Sequence, residues 1–400
     1  MTTTREFDVV LFGASGFTGR LVAEHLAQSG DRPRWAIAGR TRGKLEGLGF
    51  DVPVLIADAH DRPALDALAR RARVVCSTAG PYARHGSELV AACVEAGTHY
   101  CDLTGEVQWM RRMIDRHHER ARATGARIVH ACGFDSIPSD LGTWALQQEF
   151  QARFGHPAAR VTALFGEASG GLSGGTIASA MQTAAEAEED REVRKILGNP
   201  YALDPDPHAP RPPAPDETSL SWNHRLGMFT LPFVMAQVNT RVVRRAHALA
   251  GFPWGEGFVY RELMSTPGTV RGAVMALAIA GALGGISFAL KRRRLRELLA
   301  RRAPRPGEGP SRERRANGYW LVRMIGEAGA NGSTDVLIYR VAHRADPGYG
   351  STAKMLGEAA LCLAHDPLTS PGGVTTPSVA MGGALLARLR RVGLTFAVAG

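Results

Sequence analysis

Three glycines near the start of the chain, Gly13, Gly16 and Gly19, are spaced G-x-x-G-x-x-G within Gly13-Ala14-Ser15-Gly16-Phe17-Thr18-Gly19. That spacing suits one chemistry, the seating of a diphosphate on bare backbone amides. Gly13 can take the positive φ of a tight turn. Gly16 lets the backbone approach a pyrophosphate, and Gly19 lets a helix close on a sheet. The amides of Ala14, Ser15, Gly16, Phe17 and Thr18 then face the phosphates from a helix N-terminus, where the dipole favours negative charge. Arg40 stands about 20 residues past the last glycine, where an NAD protein keeps an acid for the ribose 2′-hydroxyl. An arginine there, with Lys44 behind it, pairs with a 2′-phosphate and stacks on adenine instead. The expected cofactor is NADP(H). Arg42 reads as a solvated member of the same turn. Asp58 has two readings, a contact to the adenine amino group or a cap for the helix after Pro63.

The reacting end of a dinucleotide needs its own residues. Thr78-Ala79-Gly80-Pro81 ends an apolar run and should flank the nicotinamide. Tyr82, Tyr100, Asp102 and Cys132 follow at expected strand ends. Tyr100 and Asp102 are two apart and share one strand face. A tyrosine there can donate to a substrate oxygen with Asp102 orienting it; the competing reading has both hydrogen-bonding within a domain seam. Cys132 reads as a small buried residue. No Tyr-x-x-x-Lys pair follows the Ser77 strand, so short-chain dehydrogenase chemistry is not supported.

The elements that must position these groups alternate in type. Apolar runs at 9–12, 34–40, 52–58, 74–82, 98–103 and 126–132 read as strands. Helical periodicity fills 20–26, 64–71, 86–96 and 107–124, and a helix capped by Ser139 or Asp140 runs to Phe150. This is an α/β, doubly wound parallel sheet of Rossmann type, with strand order 3-2-1-4-5-6. Beyond residue 155 the pattern changes. A strand at 161–167 and a glycine-rich loop at 168–176, read as facing the substrate, open a helix over 177–196. Residues 199–217 read as an exposed loop, and 227–239 as mixed apolar sequence leading to Arg241, Arg244 and Arg245. Two alternating runs at 318–326 and 334–340, joined by Gly329-Ala330-Asn331-Gly332, signal a hairpin. Helices over 351–365 and 377–392 are expected to return to the first domain. The division is thus 1–150 for the cofactor, 151–345 for an inserted α+β substrate and dimerisation domain, and 346–400 for covering helices.

With 400 residues, 44% of them apolar, the chain can bury a substantial core. The net charge of +10 is concentrated. Residues 273–290 carry no charge and are bounded by Arg271 and Lys291-Arg292-Arg293-Arg294, and further arginines continue through Arg305. Three readings compete: a buried helix or substrate-tunnel wall, a membrane-surface element spanning 271–305 beside anionic lipid, or a true span. Nucleic acid is not expected, because no aromatic interleaves the basic run before Tyr319. Arg111, Arg112, Arg116, His117, His118 and Arg120 read as a solvated face, and the adjacent histidines cannot share one helical side, so no metal site is expected. Five cysteines without C-x-x-C spacing read as reduced thiols, and the N-terminus lacks an export core. The expected location is the cytoplasm, with the inner face of the plasma membrane as the peripheral alternative.

G13ASGFTG19, A38GR40, S77TAGPY82, H99YCDLTGE106 and A131CGFDSIPSD140 together resemble the saccharopine dehydrogenase-like NADP-binding family. P306GEGPS311, D346PGYGSTAKMLGEAALCLA364 and G372GVTTPSVAMG382 resemble its trans-acting enoyl reductase branch. The resemblance covers nearly the whole chain. It implies an NADPH-dependent reduction of an α,β-unsaturated acyl thioester carried on a carrier protein or polyketide synthase. Amino-acid or imine oxidoreduction, as in saccharopine dehydrogenases proper, is the alternative, and a non-catalytic membrane-associated scaffold is a third. A homodimer is open.

Overall fold

A computed structural model describes residues 5–169, 174–224, 226–290, 292–302, 311–330 and 333–399. The first apolar run forms β1 (Phe7–Phe12), and all of it is buried, as a parallel strand covered on both faces requires. Helices and strands then alternate: α1 (Phe17–Ala27), β2 (Trp35–Gly39), α2 (Arg42–Glu46), β3 (Val54–Ile56), α3 (Arg62–Arg71), β4 (Ala72–Ser77), α4 (Tyr82–His85) and α5 (Ser87–Ala96). β5 (His99–Asp102), α6 (Val107–Thr124), β6 (Arg127–Val129) and α7 (Ile137–Phe154) complete the series. β1 lies between β2 and β4, with Val10 opposite both Ala36 and Val75. The strands follow the order 3-2-1-4-5-6.

The second unit contains β7 (Arg160–Ser169), α8 (Gly174–Glu189), α9 (Arg191–Gly198), β8 (Ser221–Asn223), β9 (Met228–Pro232), α10 (Ala236–Leu249) and β10 (Val259–Pro267). It continues through α11 (Val270–Leu290), α12 (Arg293–Arg302), α13 (Arg312–Ala316), β11 (Tyr319–Ala330) and β12 (Ser333–His343). β11 and β12 pair antiparallel up to Ala330 opposite Ser333; the turn residues Asn331 and Gly332 lie outside the described residues. So do Gly170 to Ser173 of the glycine-rich stretch and residues 303–310, which include Arg305 and P306GEGP310.

The C-terminal segment comprises α14 (Thr352–His365), β13 (Gly373–Thr375), α15 (Pro377–Arg391) and β14 (Thr395–Val398). Helices alone were expected here, but β13 extends the first sheet beside β6 and β14 extends the second beside β12. Among the described residues the sheets have seven strands each, and the same tail is hydrogen-bonded into both. Asp140 strengthens the join: buried, it accepts from Ser378 N and Oγ, each at 2.7 Å, at the start of α15.

Several local expectations change. The helix after β6 starts at Ile137 with Ser136 as its N-cap, so Ser139 and Asp140 lie inside its first turn. The predicted 177–196 helix breaks into α8 and α9 because Asp190 caps a new start, accepting from Glu192 N at 2.8 Å. Residues 202–204 are buried rather than loose, because Arg111 donates to the carbonyls of Ala202 and Asp204 and Arg245 to that of Leu203. Arg111 therefore leaves the solvated face assigned to it. The buried-helix reading of the apolar stretch also fails. In α11 only Gly272 and Ala276 are buried, whereas Val270, Val274, Leu277, Ile286 and Phe288 are exposed.

Candidate functional site

The glycine turn lies where β1 ends and α1 begins. Gly13 has φ +87°, and a Cβ there would meet Thr78 Oγ1 at 3.0 Å and Ala79 N at 3.1 Å. A Cβ at Gly19 would run into the Gly13 carbonyl and stand 2.8 Å from Thr78 Oγ1. The turn is locked from both sides: Gly13 N donates to Ala38 O at 2.9 Å, and Thr78 Oγ1 to Gly13 O at 3.0 Å. Gly16 is the N-cap of α1, whose first turn carries no acid, so its dipole is left for an external anion. A cradle that excludes side chains at two positions and ends on a helix N-terminus fits a dinucleotide diphosphate.

Cations gather at one end of this cradle. Arg40 follows β2 and is exposed, as is Lys44 on α2, while Arg42 pairs with Glu46 at 3.2 Å. Arg84, His85 and His60 belong to the same neighbourhood. The His85 ring lies 5.4 Å from that of His60, and burial together with His60, Arg40 and Arg84 holds its pKa below the usual value. Asp58 does not cap α3; Asp61 does, accepting from Ala64 N at 3.1 Å. Asp58 instead accepts from His60 N at 2.9 Å, fixing the loop that carries that histidine.

The three residues expected to do chemistry are brought together beneath the floor of the crevice. Tyr82 is 3% exposed, and Tyr100 and Asp102 are 0% exposed. The Tyr82 hydroxyl donates to Ser77 O at 3.0 Å. Asp102 accepts from His130 Nδ1 at 2.8 Å and from the amides of Thr104 and Ala131. Burial, and then the Asp102 charge, push the Tyr82 and Tyr100 phenols well above the ordinary range. All three side chains are enclosed rather than open to the crevice; Tyr82 and Asp102 tie together the loops after β4, β5 and β6, while the buried Tyr100 hydroxyl has no partner among the described residues. Glu106 does the same, taking Tyr82 N, Ala83 N and Ser179 Oγ, each at 2.8 Å. Thr78, Ala79 and Pro81 remain half-buried and Gly80 exposed at the open end of that floor. Cys132 is fully buried, like the other four free cysteines.

The loop after β6 carries what the sequence reading missed. Phe134 packs edge-on against Phe165 and Trp320, and Phe165 stacks on Phe233 at 4.0 Å. These rings, from both units, form an aromatic wall. Half-buried Asp135 follows, and burial with the nearby Glu262 charge pushes its carboxyl up to about 7. Thr352 clamps the loop, accepting from Phe134 N at 3.1 Å. In the preceding D346PGYGS351 turn, Asp346 accepts from Tyr349 N and Gly350 N, and Tyr349 packs on Phe17 at 4.7 Å. One C-terminal motif thus braces both the cradle and the Asp135 loop. Its D-P-G-Y-G sequence was the available signal, but nothing local tells where such a turn docks.

Relatives bear on this arrangement. Residues 9–129 match the saccharopine dehydrogenase NADP binding domain family. A Mycobacterium tuberculosis protein is 42% identical over 98% of this chain and 97% of its own length. Trans-acting enoyl reductases of Mycobacterium bovis and Mycobacterium ulcerans are each 40% identical over the same shares. The chain belongs to the trans-acting enoyl reductase family. It is an NADP-dependent oxidoreductase with a Rossmann-type cofactor domain. The apo saccharopine dehydrogenase (L-Glu forming) of Saccharomyces cerevisiae superposes with a TM-score of 0.57 at 13% identity, covering 98% of this chain and 99% of that one. Likeness at that identity is a likeness of fold. The chain spans nearly the full length of these relatives.

Proposed function

We propose that this protein reduces the carbon–carbon double bond of an α,β-unsaturated acyl thioester, presented on a carrier protein or polyketide synthase in the cytoplasm. The observation that carries the reading is that the carboxyl edge of the first sheet brings together the cradle and a proton-holding carboxyl on the loop after β6, against an aromatic wall shared with the second unit. The name shared by the relatives supports the enoyl substrate.

In this reading the amides of Ala14 to Thr18 and the N-terminus of α1 hold the diphosphate, Arg40 and Lys44 take the 2′-phosphate, and Thr78 to Pro81 bound the nicotinamide. NADPH bound there supplies the hydride for the β-carbon. Phe134, Phe165 and Phe233 line the apolar acyl chain and exclude water. Asp135, protonated near neutrality, donates to the α-carbon and is recharged from solvent. Tyr82, Tyr100, Asp102 and His130 are positioning residues for the loops that do this.

Amino-acid chemistry would want arginines facing the crevice to take substrate carboxylates. Arg241, Arg244 and Arg245 are engaged elsewhere: Arg241 with Asp216, Arg244 with Pro200 O at 2.9 Å and Arg245 with Leu203 O and Val374 O. The deciding experiment follows NADPH oxidation with enoyl thioesters of increasing chain length, free and carrier-bound. Turnover that improves with chain length supports the proposal. Tight NADPH binding with no reduction of any enoyl thioester overturns it and favours a non-catalytic scaffold.

A further inference from the structure

α11 is the one conspicuous sequence feature that the reaction does not use. It has 21 residues without a charge except Arg271, and at about 1.5 Å per residue it is roughly 31 Å long. Val270 is 85% exposed, Val274 63%, Leu277 64% and Phe288 56%. Exposure on this scale exceeds what a water-facing surface normally carries. Nor is there a polar side: apart from Arg271 and Ser287 the exposed residues are Val, Met, Leu, Ile, Phe, Ala and Gly, so no face prefers water.

Both ends of the helix are tied to the same body. At its start Thr266 Oγ1 donates to Gly272 O at 2.9 Å, from β10. At its end Arg296 of α12 donates to Leu290 O at 3.0 Å and pairs with Glu188 of α8 at 2.6 Å. α8 is in turn pinned to α6 through Gln108 to Thr183 at 3.1 Å and Arg112 to Glu186 at 3.3 Å. With both ends fastened to the same globular body, α11 is better placed to lie along a membrane face than to cross it. The flank is basic: Arg271, Arg292 and Arg294 are exposed, and Leu295 and Leu298 are exposed between the cations of α12.

We infer that α11 and α12 form a monotopic seat on an anionic phospholipid bilayer, with α11 immersed along the surface among the acyl chains and the arginines of α12 at the headgroups. An uncharged apolar helix finds its solvent in acyl chains, and clustered cations beside it select anionic lipid. A second copy or a protein partner would account for an apolar stripe; the basic end beside a helix apolar all round favours lipid. The inference stands independently of which acyl group is reduced.

Flotation of the full-length protein with phosphatidylcholine vesicles, with and without phosphatidylglycerol, tests it. The wild type should float with the anionic vesicles, at least tenfold more than with neutral ones at low salt. Leu277→Glu/Phe288→Glu should stay in solution, and Arg292→Glu/Arg294→Glu should lose the anionic preference. Both variants should still bind NADPH and keep the wild-type rate on a soluble short-chain enoyl thioester, whose own failure would concern the reaction and not the seat. The inference is overturned if the wild type ignores anionic vesicles or if Leu277→Glu/Phe288→Glu floats unchanged. It is equally overturned if sedimentation shows a dimer that this variant disperses.

Discussion

Alanine at Gly16 separates the cofactor seat from the fold. Gly16 has φ −73° and ψ 161°, which alanine adopts freely. Its added Cβ would stand 3.3 Å from Gly13 O, so the carbonyl has to yield by a few tenths of an ångström. The loss of unfolded-chain entropy offsets that strain, and stability should move by less than about 1 kcal/mol. A diphosphate seated on these amides as proposed above would have no such latitude, because the methyl group would crowd its approach to them. Losing one charge-assisted hydrogen bond at ~1.5–3 kcal/mol weakens binding by roughly 10- to 150-fold. Gly19→Ala is the contrast. Its Cβ runs into the Gly13 carbonyl and comes within 2.9 Å of Ala14 Cα, both backbone, so the fold itself should lose about 1–3 kcal/mol. NADPH fluorescence titration and urea unfolding read the two effects separately. The reasoning is refuted if Gly16→Ala binds NADPH within twofold of wild type, or if it unfolds as readily as Gly19→Ala.

Arg40→Ala should erase most of the preference for NADPH over NADH, on the order of 10- to 100-fold, with NADH binding unchanged in the same titration. Asp135→Asn should cut turnover at least tenfold with NADPH affinity intact. In the wild type, turnover should fall as pH rises through about 7, where the acid form of Asp135 is lost. Because its folded pKa is raised, the stability linked to this carboxyl is full below about pH 4 and lost as pH rises toward 7; Asp135→Asn should therefore gain more on wild type at pH 8 than at pH 4, measured as urea midpoints. Arg388 is 4% exposed and faces Asp31 at 2.6 Å, Glu358 at 3.3 Å and Asp366 at 2.6 Å, so Arg388→Met should cost about 3–5 kcal/mol of unfolding free energy. Its hydrogen bonds hold the Asp31 carboxyl below the ordinary range; at Asp366 burial pushes the carboxyl up, but the hydrogen bonds from Arg388 and Cys362 together with the charges of Arg388 and Arg391 leave it below that range, so the wild type should lose this stability as pH falls below about 4 and the variant should lack most of that acid slope.

Sequence alone determined what is local or periodic. A buried strand, three glycines and a helix are contiguous, so the geometry of the glycine turn was legible, and so was the position of Arg40 just past the next strand. The alternating runs around 318–340 paired as read, because period-two patterning survives without knowledge of neighbours. Tertiary structure decided the rest. β13 and β14 have three and four residues, too few to show a period, and they exist only because sheet edges were waiting for them. Tyr100 and Asp102 share a strand face in either reading; their enclosure depends on His130, 28 residues on, and on Trp109, which packs on that imidazole. Asp135 looks like any loop acid until burial and Glu262 raise its pKa. An apolar run such as 273–290 reads the same whether covered or bare, since hydrophobicity is a property of residues and burial one of neighbours.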